Sequence, residues 1–243
     1  MTAIDQYRDA VVALLRDQAA SSGPLEDASA VLTRSLEDGG VLHVFGSGHS
    51  MLPAIDATFR AGGLAPVNLL FDPALAPWEP TRVSRVERLE GYGSALASLQ
   101  DLRRGEMLVV ISHSGINPVP IEVAQYGREQ GLSIVAITSS AHSLAETSRH
   151  PDGLRLMDVA DIVLDTGAPA GDVTLTLESG LETGPTSTIL ATFLLHSLVI
   201  GAIERLTTAD VSPPVLRSMN RAGGDDTNAT AIAPYRERLS RVP

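Results

Sequence analysis

Apolar residues along the chain fall into two alternating kinds of segment. Continuous runs at 41–45, 64–71, 107–111, 132–138 and 160–165 have the length and make-up of strands buried on both faces. Between them, apolar residues spaced three and four apart predict helices at 52–61, 96–102, 119–130 and 186–206. The last is the longest and most apolar. It is entered through Gly184-Pro185, with proline near the first turn, where its missing N–H costs little. Ahead of the first strand, Ile4, Tyr7, Val11, Val12, Leu14 and Leu15 mark one amphipathic helix, ended by Ser22-Gly23-Pro24. A second spans 25–36 and stops at Gly39-Gly40. These two helices can cap the sheet or dimerise, and dimerisation is favoured because closed homo-oligomers are common.

Strand–helix alternation predicts an α/β fold: a three-layer αβα sandwich on a five-stranded parallel sheet with right-handed crossovers. Residues 173–177 alternate as an edge strand or hairpin would. The stretch 72–93 is proline-rich, holds the sole tryptophan, Trp78, and ends in the segment ERLEGYG from Glu87 to Gly93; it reads as an ordered lid. Residues 1–206 form one domain, with a helical region at 1–38. Residues 207–243 form a polar arm with a short charged helix from Pro234, packing on its own or a neighbouring subunit.

Composition narrows the partners. The chain has 243 residues, 44% hydrophobic and 19% charged, which is ordinary for a globular protein. A formal net charge of −11 argues against nucleic acid or an anionic membrane as partner. With no cysteine, disulfides and thiolate metal sites are excluded. The first residues lack the basic region of a signal peptide, and the longest apolar run, 189–203, is interrupted by Thr192, His196, Ser197 and Gly201. A cytoplasmic protein with no membrane span is expected.

Two Ser/Gly loops carry the candidate chemistry. One, Gly46-Ser47-Gly48-His49-Ser50, closes the first predicted strand; the other, Ser112-His113-Ser114-Gly115-Ile116-Asn117, closes the third. Hydroxyls, a carboxamide and glycine backbone at the carboxyl ends of parallel strands suit an anion such as phosphate. Taken singly, the second loop reads equally as a helix cap; the pair of loops favours a ligand. Neither loop is a P-loop or a dinucleotide fingerprint. Thr186, Ser187 and Thr188 open the longest helix, either as a cap or as donors to sugar hydroxyls. The six histidines show no metal-ligand spacing, so no metal or cofactor is expected. Proton-transfer candidates are His49, Asp56, His113, Glu182 and His196, with His196 read first as a core histidine.

These motifs resemble the SIS (sugar isomerase) domain family, which binds phosphosugars in isomerases and in sugar-sensing regulators. The second loop is similar to the family's Ser-x-Ser-Gly-x-Thr phosphate loop, with Asn117 where threonine is usual. The resemblance is strongest to a branch sharing the GSGHS loop, RAGG, ERLxGYG, SxSGxNPVPIE, GPTSTI and the Gly-Gly-Asp-Asp-x-Asn tail. It implies a flavodoxin-like homodimer or homotetramer whose phosphate contacts are Ser47, Gly48, Ser50, Ser112, His113, Ser114, Gly115 and Asn117. It also implies sugar contacts from Thr186, Ser187 and Thr188. The expected function is aldose–ketose isomerisation of a phosphorylated sugar or amino sugar, with non-catalytic phosphosugar binding as the alternative. Phosphoheptose isomerases carry metal-ligating His and Glu on the helix after the first loop. Here Asp56 and Arg60 stand in that region, and His196 is read as lacking partners.

Overall fold

The computed structural model describes residues 1–239. Five parallel strands, β1 (Leu42–Gly46), β2 (Val67–Leu69), β3 (Met107–Ile111), β4 (Ser133–Thr138) and β5 (Ile162–Asp165), lie in the order β2-β1-β3-β4-β5. Helices α1 (Ala3–Ala20) and α2 (Gly23–Glu37) precede the sheet. The helices α3 (Met51–Asp56), α4 (Pro80–Val86), α5 (Tyr92–Ser98) and α6 (Pro118–Glu129) follow in chain order. Then come α7 (Ser140–Ala145), α8 (Leu156–Val159), the hairpin β6 (Leu175–Thr176) and β7 (Glu182–Thr183), α9 (Ser187–Thr208) and α10 (Gly224–Ile232).

The continuous apolar run of β3 follows from its central place. Met107, Val109 and Ile111 enter one core with α2, α3 and α9, while Leu108 and Val110 enter the other with α6. Side chains alternate across a strand, so a strand covered by helices on both faces needs apolar residues at every position. Each such side chain, fully buried, contributes roughly 1.5–3 kcal/mol. Alanine and glycine let α2 and α9 approach closely: a Cβ on Gly201 would lie 2.4 Å from Ser29 Oγ. Thus α2 is part of the core, with Ala28, Leu32 and Leu36 buried. Helix α9 runs 22 residues, as the spacing over 186–206 predicts, and is long and apolar enough to cross a membrane by length and composition. Its buried residues, from Leu190 to Leu206, pack in the core with α2 and α3.

Strand β2 is shorter than its apolar run. Pro66 has no N–H to give a ladder, and Leu64 pairs instead, antiparallel, with Val215 of the C-terminal arm. Gly62 and Ala65 donate to Leu216 and Pro214, both at 2.8 Å, so the arm closes the end of this edge. Helix α3 ends at Asp56 because the chain turns at Phe59, a left-handed residue (φ 51°). Helix α5 starts before its predicted position because both Glu122 carboxylate oxygens, from α6, accept the Gly91 and Gly93 N–H groups at 2.6 and 2.8 Å. The arm's helix starts at Gly224, ahead of Pro234, and a 3-10 turn follows.

Beneath the sheet, at the amino ends of the strands, lies a buried polar knot. His43 Nε2 donates to Glu106 Oε2 at 2.9 Å, and His43 Nδ1 accepts from Asn68 at 3.2 Å. Arg238 of the arm donates to both Glu106 oxygens. Burial alone would raise the Glu106 carboxyl, but hydrogen bonds from His43 and Arg238 outweigh it and hold the pKa at about 2.

Candidate functional site

Both Ser/Gly loops emerge at the carboxyl ends of neighbouring strands, β1 and β3, where the strand order reverses. A Cβ on Gly46 would lie 2.1 Å from the Ser50 carbonyl oxygen, so only glycine allows the chain to fold back into the Gly48–Ser50 turn. Ser47 is buried and donates to Glu87 Oε2 at 3.1 Å. His49 is exposed at the rim, and the Ser50 hydroxyl has no partner within the protein.

The second loop is pinned from behind. Its His113 carbonyl accepts from Ser139 N–H at 3.0 Å, and its Gly115 carbonyl accepts from Leu156 N–H at 2.8 Å. Gly115 adopts φ +61°, and Ser112 Oγ accepts its N–H at 3.2 Å, leaving the Ser112 hydroxyl proton free to donate. Asn117 occupies the N-cap position of α6, but its side chain does not cap the helix. Its Oδ1 accepts instead from Arg149 Nη1 at 2.8 Å. Pro118 and Pro120 carry no N–H, and Val119 N–H is taken by the Glu87 carbonyl at 3.2 Å. Open donors therefore come from the loop itself, where the N–H groups of Ser114, Ile116 and Asn117 make no hydrogen bond within the protein. Such a cluster of N–H groups favours an anion.

The opening of α9 is already engaged. Asp172, itself left-handed (φ 57°), accepts from the Thr186 and Ser187 N–H groups at 2.8 Å each and from Ser187 Oγ at 2.6 Å. Thr188 keeps a free hydroxyl. Ser50, His113, Thr166, Ser187 and Thr188 line an enclosed chamber of about 10 Å³, room for one water. Neither ring nitrogen of His113 has a partner of hydrogen-bond geometry, and its ring packs edge-on against His142, 4.7 Å between centroids. Burial pushes the His113 pKa down, with His142 adding to the effect while Asp172 and Asp165 oppose it. His113 is therefore neutral and able to accept a hydrogen bond.

Of the remaining proton-transfer candidates, two meet. His196 Nε2 lies 2.7 Å from Asp56 Oδ2, so His196 is a half-exposed residue with a carboxylate partner rather than an isolated core histidine. The other Asp56 oxygen is paired to Arg60. The Arg60 guanidinium already takes the second oxygen of Asp56, and among the described residues no three His, Cys, Asp or Glu side chains converge. This pair does not fit a metal ion. Glu182 stands apart, exposed on β7 opposite Thr176.

Glu87 and Arg149 contact the two candidate loops and were not singled out by sequence reasoning. Both reach them through contacts distant in sequence, to Ser47 and to Asn117. For Glu87 the one available signal was its place in the aromatic lid segment. The lid is ordered: Tyr92 donates to Asp72 at 2.8 Å, and Glu122 anchors Gly91 and Gly93. Beneath it, Ser47, Gly48, His49, Val83 and Glu87 line a cavity of about 250 Å³, just under the roughly 300 Å³ at which small-ligand pockets begin.

Comparison with known proteins bears on this geometry. The SIS-domain profile matches residues 6–139. A UPF0309 protein of Streptomyces coelicolor is 39% identical, covering 96% of this chain and 95% of its own length. One from Shouchella clausii is 36% identical over 98% and 99%. Among solved structures, a phosphoheptose isomerase from Francisella tularensis aligns with TM-score 0.57 at 16% identity, covering 84% of this chain and all of its own. The Vibrio vulnificus NanR protein complexed with ManNAc-6P aligns with TM-score 0.54 at 13% identity, covering 99% of this chain and 71% of its own. At these identities the solved structures establish the fold.

Proposed function

We infer the function from one premise: the chain belongs to the SIS-domain family and, within it, to the UPF0309 proteins. Its ligand is a phosphorylated sugar or amino sugar. The phosphate sits on Ser47, Gly48, Ser50, Ser112, His113, Ser114, Gly115 and Asn117, with the sugar directed toward the Thr186-Ser187-Thr188 turn, where Thr188 keeps the free hydroxyl and Asp172 engages the other two. The observation that carries this reading is the second loop, which carries three unpaired N–H groups and a free Ser114 hydroxyl at the point where the strand order reverses. Solved relatives of the same fold include a phosphoheptose isomerase and a regulator holding a sugar phosphate, and both support it.

The reaction is an aldose–ketose isomerisation. A base removes the proton on the carbon next to the carbonyl, the carbonyl oxygen gains a proton, and the resulting enediol is reprotonated on the neighbouring carbon. His196 is the base. A carboxylate can only accept, so Asp56 fixes the tautomer with the proton on Nε2 and leaves Nδ1 bare. His49, exposed at the rim, serves the oxygen. Glu182 lies outside this arrangement. Leu52, Ile55, Phe59 and Ile189 are exposed around the His196–Asp56 pair and support a homo-oligomer covering this face. The setting is cytoplasmic.

One observation favours a second reading, binding without turnover. Asp56 is paired with Arg60 as well as with His196, and a carboxylate already neutralised by a guanidinium does little to raise the basicity of His196. A thermal-shift screen against sugar phosphates and their unphosphorylated counterparts tests the binding. A ligand at a hundred times its Kd adds about 2.7 kcal/mol. For each hit, deuterium incorporation from heavy water at the carbon beside the carbonyl tests turnover. Stabilisation that ignores the phosphate would reject the binding, and a phosphate-dependent hit without exchange would select the second reading.

A further inference from the structure

Arg149 approaches the second loop from the segment after α7. Its N–H donates to the Ile116 carbonyl and its guanidinium to Asn117 Oδ1, both at 2.8 Å. Both acceptors are neutral. The guanidinium is held on one side by a neutral carboxamide and is otherwise open to solvent beside the start of the 12-residue helix α6, so its remaining donors are available to an anion. Threonine at position 117 could not reach the guanidinium with a carbonyl oxygen, so the departure from the family's usual loop residue is what tethers this cation.

The anion at hand is Glu87. Its carboxylate accepts from Ser47 Oγ, and its main-chain carbonyl accepts from Val119 N–H. It therefore bridges the first loop and the start of α6, the two elements a phosphate would bridge. The charged and titratable groups around it are Arg88 on the lid, Arg149 opposite, and His49 on the first loop, which lines the same cavity. Burial raises the Glu87 pKa, while Ser47, Arg88 and Arg149 draw it back.

We propose that Arg149, tethered by Asn117, is the counter-cation of the bound phosphate, and that Glu87 holds that place in the ligand-free protein. On this arrangement a phosphate dianion displaces the Glu87 carboxylate from Ser47, and two like charges in one small cleft are relieved when Glu87 takes up a proton. At pH values above the ligand's own second ionisation (about 6 for a phosphate monoester), where it is already a dianion, binding is thereby coupled to proton uptake by Glu87, and affinity for the dianion falls as pH rises. This inference rests on the phosphosugar reading for its ligand but is separable from it, because inorganic phosphate is a sufficient probe.

The test is calorimetric titration of the full chain with inorganic phosphate and with a panel of sugar phosphates, in buffers of different ionisation enthalpy. The wild type should take up protons on binding. Arg149→Ala should weaken phosphate at least tenfold, Arg149→Lys less, and Asn117→Thr to an intermediate degree. Glu87→Gln should bind without proton uptake at pH values where the ligand is a dianion, and should keep only the pH dependence of the ligand's own ionisation. Melting curves establish that each variant is folded. Unchanged affinity in Arg149→Ala, or unchanged proton uptake in Glu87→Gln, overturns the inference while leaving the phosphosugar reading standing. Arg149-dependent binding of inorganic phosphate with no preference for any sugar phosphate removes that reading and leaves the inference. A wild type that binds neither probe overturns both.

Discussion

His196 on α9 and Asp56 on α3 are 140 residues apart and meet at 2.7 Å, joining the two helices that flank the carboxyl end of β1. The contact sets the tautomer of the imidazole, which makes the pair more than a packing feature. His196→Gln should lower kcat by about 10²- to 10⁴-fold, the usual share of a general base, with little change in KM. Asp56→Asn should lower kcat less and shift its pH profile, because the amide can hold either tautomer. Steady-state kinetics over a pH series check both. A His196→Gln protein that still exchanges the substrate proton at the wild-type rate would place the base elsewhere.

Ser114 makes no side-chain hydrogen bond within the protein, so its removal separates binding from folding. Ser114→Ala should leave the melting temperature unchanged and weaken a phosphosugar by roughly 1.5–3 kcal/mol, the worth of one hydrogen bond to a charged group. Calorimetric Kd values for the two proteins decide it. Equal affinities would mean that the loop does not hold the phosphate.

The sheet was legible in the sequence because its physics is local. A strand buried on both faces must be apolar throughout, so Met107–Ile111 announces itself, and the Ser/Gly loops follow at fixed places. Short elements escaped that logic. Helices α7 and α8 span six and four residues, too few for a period to show, and α4 gains its form from packing over the first loop. The charged groups of the cleft were less legible still. Glu87 and Arg149 look like ordinary surface charges in a polar stretch, and only the fold brings them to Ser47 and Asn117. The hydroxyl residues at the opening of α9 were visible, but the carboxylate that engages Thr186 and Ser187, Asp172, was not.

The lid's attachment predicts a second, purely structural effect. A Cβ on Gly93 would lie 2.3 Å from the Val119 carbonyl oxygen and 2.8 Å from Glu122 Cβ. Gly93→Ala must push α5 away from α6, at about 1–3 kcal/mol, and would disturb the lid that positions Glu87. Trp78, the sole tryptophan, is 63% exposed on this lid. Its emission is therefore a weak reporter, and backbone circular dichroism is the better probe. Denaturant unfolding followed by circular dichroism should show a lowered midpoint for Gly93→Ala, and an unchanged midpoint would mean that the lid accommodates the methyl group.

Two carboxyls, the buried Glu106 and the half-buried Glu87, should give the stability of this protein opposite dependences on pH. Glu106 is held at about 2, below its ordinary 4.5, so the folded state binds fewer protons than the unfolded one between those values. Its contribution, of order 3 kcal/mol at about 1.4 kcal/mol per pH unit, is present above the ordinary carboxylate range and lost as pH falls toward 2. Glu87 is shifted up by burial, so the folded state binds more protons. Its contribution is present below the ordinary carboxylate range and is lost as pH rises through the raised value. Glu106→Gln should therefore be less stable than wild type at neutral pH and flatter on the acid side. Glu87→Gln should be at least as stable as wild type at neutral pH, because glutamine can still accept from Ser47 without burying a charge. Melting temperatures of the three proteins across an acid-to-neutral series resolve the two effects. A Glu87→Gln protein destabilised at neutral pH would show that the ionised carboxylate is itself a structural support of the cleft.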